Sequence, residues 1–390
     1  MKKPLIIAAG LLLLALGGDA LFLQLPGETR AAGTTYYVAT TGNDANSCAQ
    51  ATNSATPKRI IQAGVNCATA AGDTVIVKAG TYVEAVASWP ASGTAGNPIT
   101  IKANPGDAVT WRSSDTSTSS HNGAITIFDR KYIRIQGFTF DGSVTDWTIR
   151  VVNTHLFDGN STARVNFPVV GIEIIGNAFS NNGNNSKANN CTTGSAITIE
   201  FSGVGNECDP GGTTSKIESK TFSQNYGHDI ELGATHDVLV EANLSTGLKG
   251  SQDINNSQGY MARSILIGAH GPYNGFLYEA SRNVVQNNII SGITRQNYMD
   301  SPFTCGSASL EAVGIRLGVG GTNNIIRRNV VHDMGNVGWS FDNRGFGYFP
   351  EYQSSNNFFY TMWPIIHERP AFGSERPARV HLERLWGTRY

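Results

Sequence analysis

The stretch GHDIELGATHDVLVEANLSTG, residues 227–247, set beside GIRLGVGGTNNIIRRNVVHDMG, residues 314–335, decides how this chain is read. Each holds a short apolar strand, a turn, and a second apolar strand ending in Asn. Four segments share the second half: Ile172 to Asn177 (IEIIGN), Val238 to Asn243 (VLVEAN), Asn283 to Asn288 (NVVQNN) and Asn324 to Asn329 (NIIRRN). A weaker copy, Ile133 to Phe138 (IRIQGF), places Phe where the Asn would stand. From 138 the spacings are 39, 66, 45 and 41 residues, which fit two, three, two and two units of about 22 each, within the range of solenoid repeats. Short strands of another type fall between them: Ala124–Ile127, Ala196–Ile199, Asp229–Leu232 and Gly314–Leu317.

Such a unit cannot bury its apolar side until the next coil stacks on it. Stacked coils form parallel sheets, with alternate residues filling an interior column. An Asn at equivalent bends can hydrogen-bond to the Asn above and below, satisfying amides that burial would leave costly. The expected fold class is all-β: a right-handed parallel β-helix, a single-stranded solenoid with a short N-terminal capping helix. The 44 Gly and 15% charged residues suit a turn-rich β architecture better than a helical bundle.

Upstream, Met1-Lys2-Lys3 followed by the apolar run Leu5–Leu16 reads as a secretory signal, an uncleaved anchor being the alternative. Residues 1–33 are therefore expected to be signal and leader, and 34–345 the β-helix domain. The mature chain is expected to have no integral membrane span, to be secreted, periplasmic or held at the cell surface, and to be a monomer. Thr34–Thr41 reads as a strand, and Thr56-Pro57 as the start of a helix with Ile60, Ile61, Val65 and Ala68 on its apolar face, ended by Gly72-Asp73. The N-terminal cap spans about 34–80. Polar tracts at about 145–166 and 180–220 read as insertions projecting from the stack. Residues 346–390, aromatic and Arg-rich, read as a C-terminal cap or irregular tail.

Export changes how the five cysteines are read, since an oxidising compartment favours disulfides. Sequence neighbourhood pairs Cys48 with Cys67 and Cys191 with Cys208, leaving Cys305 over; five buried thiols are the alternative. With 29 Lys and Arg against 30 Asp and Glu, the chain lacks the basic excess of a general nucleic-acid binder.

The segment TYYVATTGNDANS, the helix PKRIIQAGVNCATAAGDTVIVKAGTYVE, then NPITIKANPG and YIRIQGFTF resemble the N-terminal part of exported right-handed β-helix proteins of the pectin-lyase-like superfamily. The repeats from Gly227 to Gly335 resemble their generic coils. The resemblance implies contact with a polysaccharide: many members are lyases or glycoside hydrolases acting on acidic glycans, and others are non-catalytic surface proteins. A lyase removes the proton beside a uronate carboxylate with a Lys, Arg or His base, while Arg or Ca²⁺ neutralises the carboxylate. A hydrolase needs two carboxyl groups flanking the glycosidic bond.

Strand alternation supplies candidates. If Ile230 and Leu232 point inward, Asp229 and Glu231 point outward, as do Glu200 beside Ile199 and Arg316 between Ile315 and Leu317. His228 sits next to this line, and Lys249 lies in the following turn. Outward charges keep any solenoid soluble, and the His-Asp pairs at 228/229, 236/237 and 332/333 suit turn chemistry. Read as a site, Lys249, Arg316 and His228 are the catalytic candidates, with Glu200, Asp229 and Glu231 contacting substrate. No cofactor is required by the sequence; Ca²⁺ could bind through Asp229, Glu231 and Asp253, although no run of Asp in adjacent coils builds an oxygen cage, and no Cys/His cluster has zinc spacing. The expected activity is cleavage of an acidic glycan by β-elimination, with a glycan-binding module and a glycoside hydrolase as alternatives.

Overall fold

A computed structural model describes residues 33–114, 123–145, 147–154, 169–183, 195–200, 215–249, 251–252, 260–268, 270–273, 276–278, 280–293, 310–317, 321–332, 348–350, 358–360 and 363–365. The chain winds through three sheets in turn, here called A, B and C. Sheet A stacks ten strands from Thr35–Val38 to Phe358–Tyr360, and sheet B stacks nine from Gly80–Val83 to Trp363–Ile365. Sheet C runs from Ile125–Phe128 through Trp147–Val152, Ser195–Glu200, His228–Gly233, Tyr260–Gly268 and Leu310–Leu317 to Tyr348–Pro350. Within these three sheets the strands neighbour one another in chain order and pair in parallel; Ser251–Gln252 lies antiparallel on the Tyr260–Gly268 strand, and His270–Tyr273 pairs antiparallel with Phe276–Tyr278 outside them. This is the right-handed parallel β-helix expected from the repeats.

Each coil turns its corners on residues with a left-handed backbone. Between sheets A and B these are Gly137, Gly176, Ser219, Ala242, Asn287 and Arg328, each immediately before the ladder position. Further corners use Gly142, Asn181, Gln224, Gly247 and Gly292 after sheet B, and Asp237, Arg282 and Asn323 before sheet A. One such residue redirects the chain within a single peptide, and the next side chain then points into the stack. The Asn in that place satisfies the corner. Asn288 Oδ1 accepts the backbone N–H of Asn243 at 3.0 Å and its Nδ2 at 2.9 Å, while Asn288 Nδ2 donates to the Val240 carbonyl at 3.0 Å. Asn288 in turn donates both groups to Asn329 Oδ1. A second ladder runs Ser143, Asn182, Asn225 after sheet B, and a third joins Asn283 to Asn324 before sheet A.

Strand register corrects the unit count. Phe138 donates its backbone N–H to Asn177, and Asn243 pairs with Asn288, so 39, 45 and 41 residues are single coils rather than two units each. The 66-residue gap holds two coils, with Lys220 in the ladder position between. The shortest turns of the helix are near the expected 22, but most coils are lengthened around sheet C.

Inside sheet B, Trp111, Phe140, Phe179 and Phe222 form an aromatic column. Phe140–Phe179 and Phe179–Phe222 centroids lie 4.9 and 5.1 Å apart, close to the spacing of parallel strands. Trp111 stacks on Phe140 and takes Phe138 against its edge.

The N-terminal helix is confined to Ile61–Val65 rather than about Pro57 to Ala71. Lys58 is held extended as a parallel bridge to Val38, with its N–H on the Tyr37 carbonyl, so Thr56-Pro57 cannot start a helix. Instead the Glu84 carboxylate accepts the N–H groups of Ile61 and Gln62, and Asp44 accepts those of Arg59 and Ile60. Cys48 and Cys67 form the expected disulfide, joining this region to the preceding loop. Its loop closure contributes roughly 3 kcal/mol in the chain-entropy view.

Two segments expected outside the stack belong to it. Trp147–Val152, Ser195–Glu200 and Ser215–Glu218 are strands of sheets C, C and A within the tracts read as insertions, the second of them containing the strand expected at Ala196–Ile199. Past residue 345, Tyr348–Pro350, Phe358–Tyr360 and Trp363–Ile365 extend sheets C, A and B by one more pass. The signal, Cys191, Cys208, Cys305 and Asp253 lie outside the described residues. Among the described residues no helix is long and apolar enough to cross a membrane.

Replacing Asn288 with Ala removes two accepted bonds and two donated bonds from a buried corner. Denaturant unfolding is expected to show a loss of about 2–4 kcal/mol. Ala242→Gly acts in the opposite direction at the neighbouring left-handed position. Relief of the Cβ penalty exceeds the extra chain entropy, and the same measurement should show a gain of about 0.5–1 kcal/mol.

Candidate functional site

The outer face of sheet C gathers charge from five consecutive coils. Its strands do not alternate evenly. Pairing is recorded at Ser195 and Ile197 with His228 and Ile230, and at His228 and Ile230 with Arg263 and Ile265, skipping the position between in each strand. At that skipped position Asp229 turns inward. Its carboxylate accepts from Asn225 Nδ2 at 3.0 Å, from Ser264 Oγ at 3.1 Å and from Ser245 Oγ, a residue of the inner row of sheet B. Ser245 succeeds Phe222 in the aromatic column, and the smaller side chain makes room for the carboxylate.

The expectation that Asp229 faces outward is thereby corrected: it is 1% exposed and lies in the interior. Burial raises its pKa to about 6, against the lowering effect of its three hydrogen bonds. From there it faces away from Glu231, which is bonded to Ser195 and Thr198 on the other side of the strand. Among the described residues no group of three His, Cys, Asp or Glu is placed to hold an ion.

The other strand residues meet on the outer face. Ser195 Oγ donates to Glu231 Oε2 at 2.8 Å and Thr198 Oγ1 at 3.3 Å, which fixes the face on which all three lie. By register, one row across the sheet reads Trp147, Ser195, His228, Arg263, and the next reads Arg150, Thr198, Glu231, Leu266, Arg316. Glu200, one step further along its strand, takes two bonds from Arg150, from Nη2 at 2.9 Å and Nε at 3.2 Å. The Arg150 guanidinium also lies over the Trp147 ring, 4.3 Å from its centroid. Adjacent strands are about 4.8 Å apart, so Glu231 and Arg316, two strands apart, stand about 10 Å from each other at the backbone.

Burial sets the electrostatics. His228 is 2% exposed, Arg316 5% and Arg263 7%, so their mutual fields are weakly screened. His228 has its pKa lowered to about 3, chiefly by burial and then by the positive charges of Arg263 and Arg316. It is therefore a neutral imidazole throughout the physiological range. Its Nδ1 has no hydrogen-bond partner among the described residues. Such a nitrogen can accept a proton, and the arginines beside it can hold an anion.

The structure thus brings together Glu200, His228, Glu231 and Arg316 from the sequence candidates, and separates Asp229 from them. Lys249 lies at the turn leading into sheet C, its ammonium over the Tyr226 ring at 4.9 Å and 3.5 Å from the Tyr226 hydroxyl. Of the His-Asp pairs, His236-Asp237 is corner chemistry: His236 Nδ1 meets Ser281 Oγ at 2.6 Å, and Asp237 takes a bidentate contact from Arg282. His228-Asp229 instead straddles the wall of sheet C. Sequence reading missed Trp147, Arg150, Ser195, Thr198 and Arg263. Arg150 was findable, since it sits between Ile149 and Val151 as Arg316 sits between Ile315 and Leu317. Arg263 precedes SILI as His228 precedes DIEL, a parallel hidden by the long insertion between them.

No family model matches the chain, and no curated protein matches it. Similar solved structures include a complex of XylC with xylose, 12% identical over 84% of this chain and 70% of that one, with a TM-score of 0.42. Others are a rhamnogalacturonan lyase, 14% identical over 83% and 87%, TM-score 0.38, and the pectate lyase Pel9A, 13% identical over 86% and 78%, TM-score 0.36. At these identities the likeness concerns the fold alone. With three parallel sheets advancing one strand per coil in chain order, the chain is a right-handed parallel β-helix.

Proposed function

We propose that this is an exported carbohydrate-active protein whose sheet C face binds an acidic polysaccharide and cleaves it by β-elimination. The observation that carries the reading is His228, a buried neutral imidazole whose Nδ1 has no hydrogen-bond partner among the described residues, in the positive field of Arg263 and Arg316. In this mechanism a uronate carboxylate lies against the arginines. Their charge stabilises the anion that forms when the proton beside the carboxylate leaves. His228 takes that proton, the electron pair forms the ring double bond, and the bond to the leaving sugar oxygen breaks, water supplying the proton to the alkoxide.

The low pKa of His228 comes first from burial and then from the arginine charges. A base that weak is poorly matched to neutral pH. A bound carboxylate offsets the part of the lowering that comes from the arginine charges, so the imidazole is more basic with substrate in place than without it, while the larger contribution of burial remains. Ser195, Thr198 and Arg150 fix Glu231 and Glu200 beside this centre, where they can accept hydrogen bonds from sugar hydroxyls. Lys249 is the alternative base, from its stack on Tyr226.

A panel of uronic-acid polysaccharides, followed at the ultraviolet absorbance of the unsaturated product, tests the reaction. Signal is expected with at least one member, and His228→Gln should lower the rate by about 10²–10⁴-fold. Lys249→Met should leave the rate within a few-fold; loss of activity in that variant alone moves the base to Lys249. New reducing ends without absorbance indicate a hydrolase using Glu200 and Glu231, and binding without either product indicates a glycan-binding module.

The pH profile gives a separate check. His228 in the free protein keeps its lone pair well below the ordinary imidazole range, so kcat/KM should show no acid-side break near 6.5. A break there contradicts the assignment, because it would report an ordinary exposed histidine.

A further inference from the structure

The corner between sheets A and B is occupied, coil after coil, by Phe138, Asn177, Lys220, Asn243, Asn288 and Asn329. Lys220 is the anomaly. It is 1% exposed and ranks with the large aromatic residues as a fully buried side chain. Lysine has three donors and no acceptor, so it cannot receive the Asn177 N–H as Asn288 receives that of Asn243. Nor does it reach back to the coil below as Asn243 does to Ile217. Its ammonium nitrogen instead donates to the Glu218 carbonyl of its own turn at 3.0 Å.

The surroundings offer little to a positive charge. The turn below contributes Asn177 and the inward Ile174, and the turn above contributes Asn243 and Val240, all neutral. From sheet B come Phe179, Phe222 and Ser245. The charged neighbours on sheet A, Glu173, Lys216, Glu218 and Glu241, stand on its outer face. Only the Glu218 carboxylate acts on Lys220 appreciably, and burial outweighs it, bringing the pKa down to about 6 from 10.5. Asp229, the other ionisable group inside this coil, is engaged by Asn225, Ser245 and Ser264.

We propose that Lys220 makes this corner a pH-dependent joint of the β-helix: the interface between the Asn177 and Lys220 turns opens locally when the side chain takes up a proton, while the all-Asn corners stay closed. A solenoid suits such a device, because each coil contacts only its neighbours and a weak interface can open without the rest. Once open, the corner exposes Lys220 to water, where it binds a proton at its ordinary value. The closed corner binds one only near 6. Between those limits the open form holds more protons, so closure is favoured as pH rises and the effect levels off below about 6. Asp229 has its raised value at about 6 and an ordinary value of 3.8, so its own linkage lies below this window. The joint does not depend on the chemistry proposed for sheet C.

Amide hydrogen exchange on the full chain between pH 6 and 9 tests it. After correction for intrinsic rates, protection in peptides containing Lys220 and Thr221 is expected to rise with pH, by up to about tenfold per unit. Peptides containing Asn288 and Ile289 should stay flat, and Lys220→Asn should abolish the slope by completing the ladder. An equal slope at both corners, or a slope that survives in Lys220→Asn, overturns the proposal. Lys220→Met serves as the second variant should the first not fold, and the comparison of the two corners within the unaltered protein stands without either.

Discussion

Everything in this structure depends on satisfying the polar groups of buried corners. A parallel β-helix must bend its backbone about three times per coil, and each bend carries N–H and C=O groups into an apolar stack where an unmet group costs about 1–3 kcal/mol. The chain meets the requirement with a left-handed residue followed by an inward amide. Asn is suited to this because one side chain both accepts and donates. Each Asn binds the turn below through Nδ2 and receives the turn below through Oδ1, so a single residue type ties two coils together.

The same rigidity places the candidate site. Corners before and after sheets A and B are tight, and the segments between described residues (155–168, 184–194, 201–214, 294–309 and 333–347) all adjoin sheet C strands. Variation in coil length is thus concentrated on one side. Chain length on that side can change without disturbing the ladders, which is where a scaffold can best carry function. The register of sheet C holds Glu200, His228, Glu231, Arg263 and Arg316 at fixed strand spacings, so their mutual geometry is inherited from the fold.

How much was legible follows from which interactions are local. The IIGN, VEAN, VQNN and IRRN endings announce a corner and its ladder within six residues, so the fold could be read from them. Coil length could not, because spacing alone does not tell one long coil from two short ones; that took the hydrogen bonds joining Asn243 to Asn288. Asp229 was misplaced for a related reason. Simple alternation puts it outside, but the strand is irregular at that point, and the irregularity is written in Ser245 and Ser264, 16 and 35 residues away. The helix start at Thr56-Pro57 failed likewise: the local signal is sound, yet the bridge from Lys58 to Val38 overrides it.

The inward Asp229 and the outward His228 are consecutive residues, and their neighbourhood shows what the bend in sheet C accomplishes. Strict alternation would allow only one of His228 and Glu231 to share a face, since three positions separate them. Inserting one inward residue shifts the parity, so both reach the outer surface. The added inward position then needs a polar partner set, supplied by Asn225, the last Asn of the second ladder, and by the serine that interrupts the aromatic column. In the next strand Arg263 and Ser264 repeat the arrangement, with Ser264 returning its hydroxyl to Asp229. The bend therefore propagates from coil to coil, as the ladders do, and a change to the buried Asp229 would reach the outer face through the parity of the strand rather than through any direct contact.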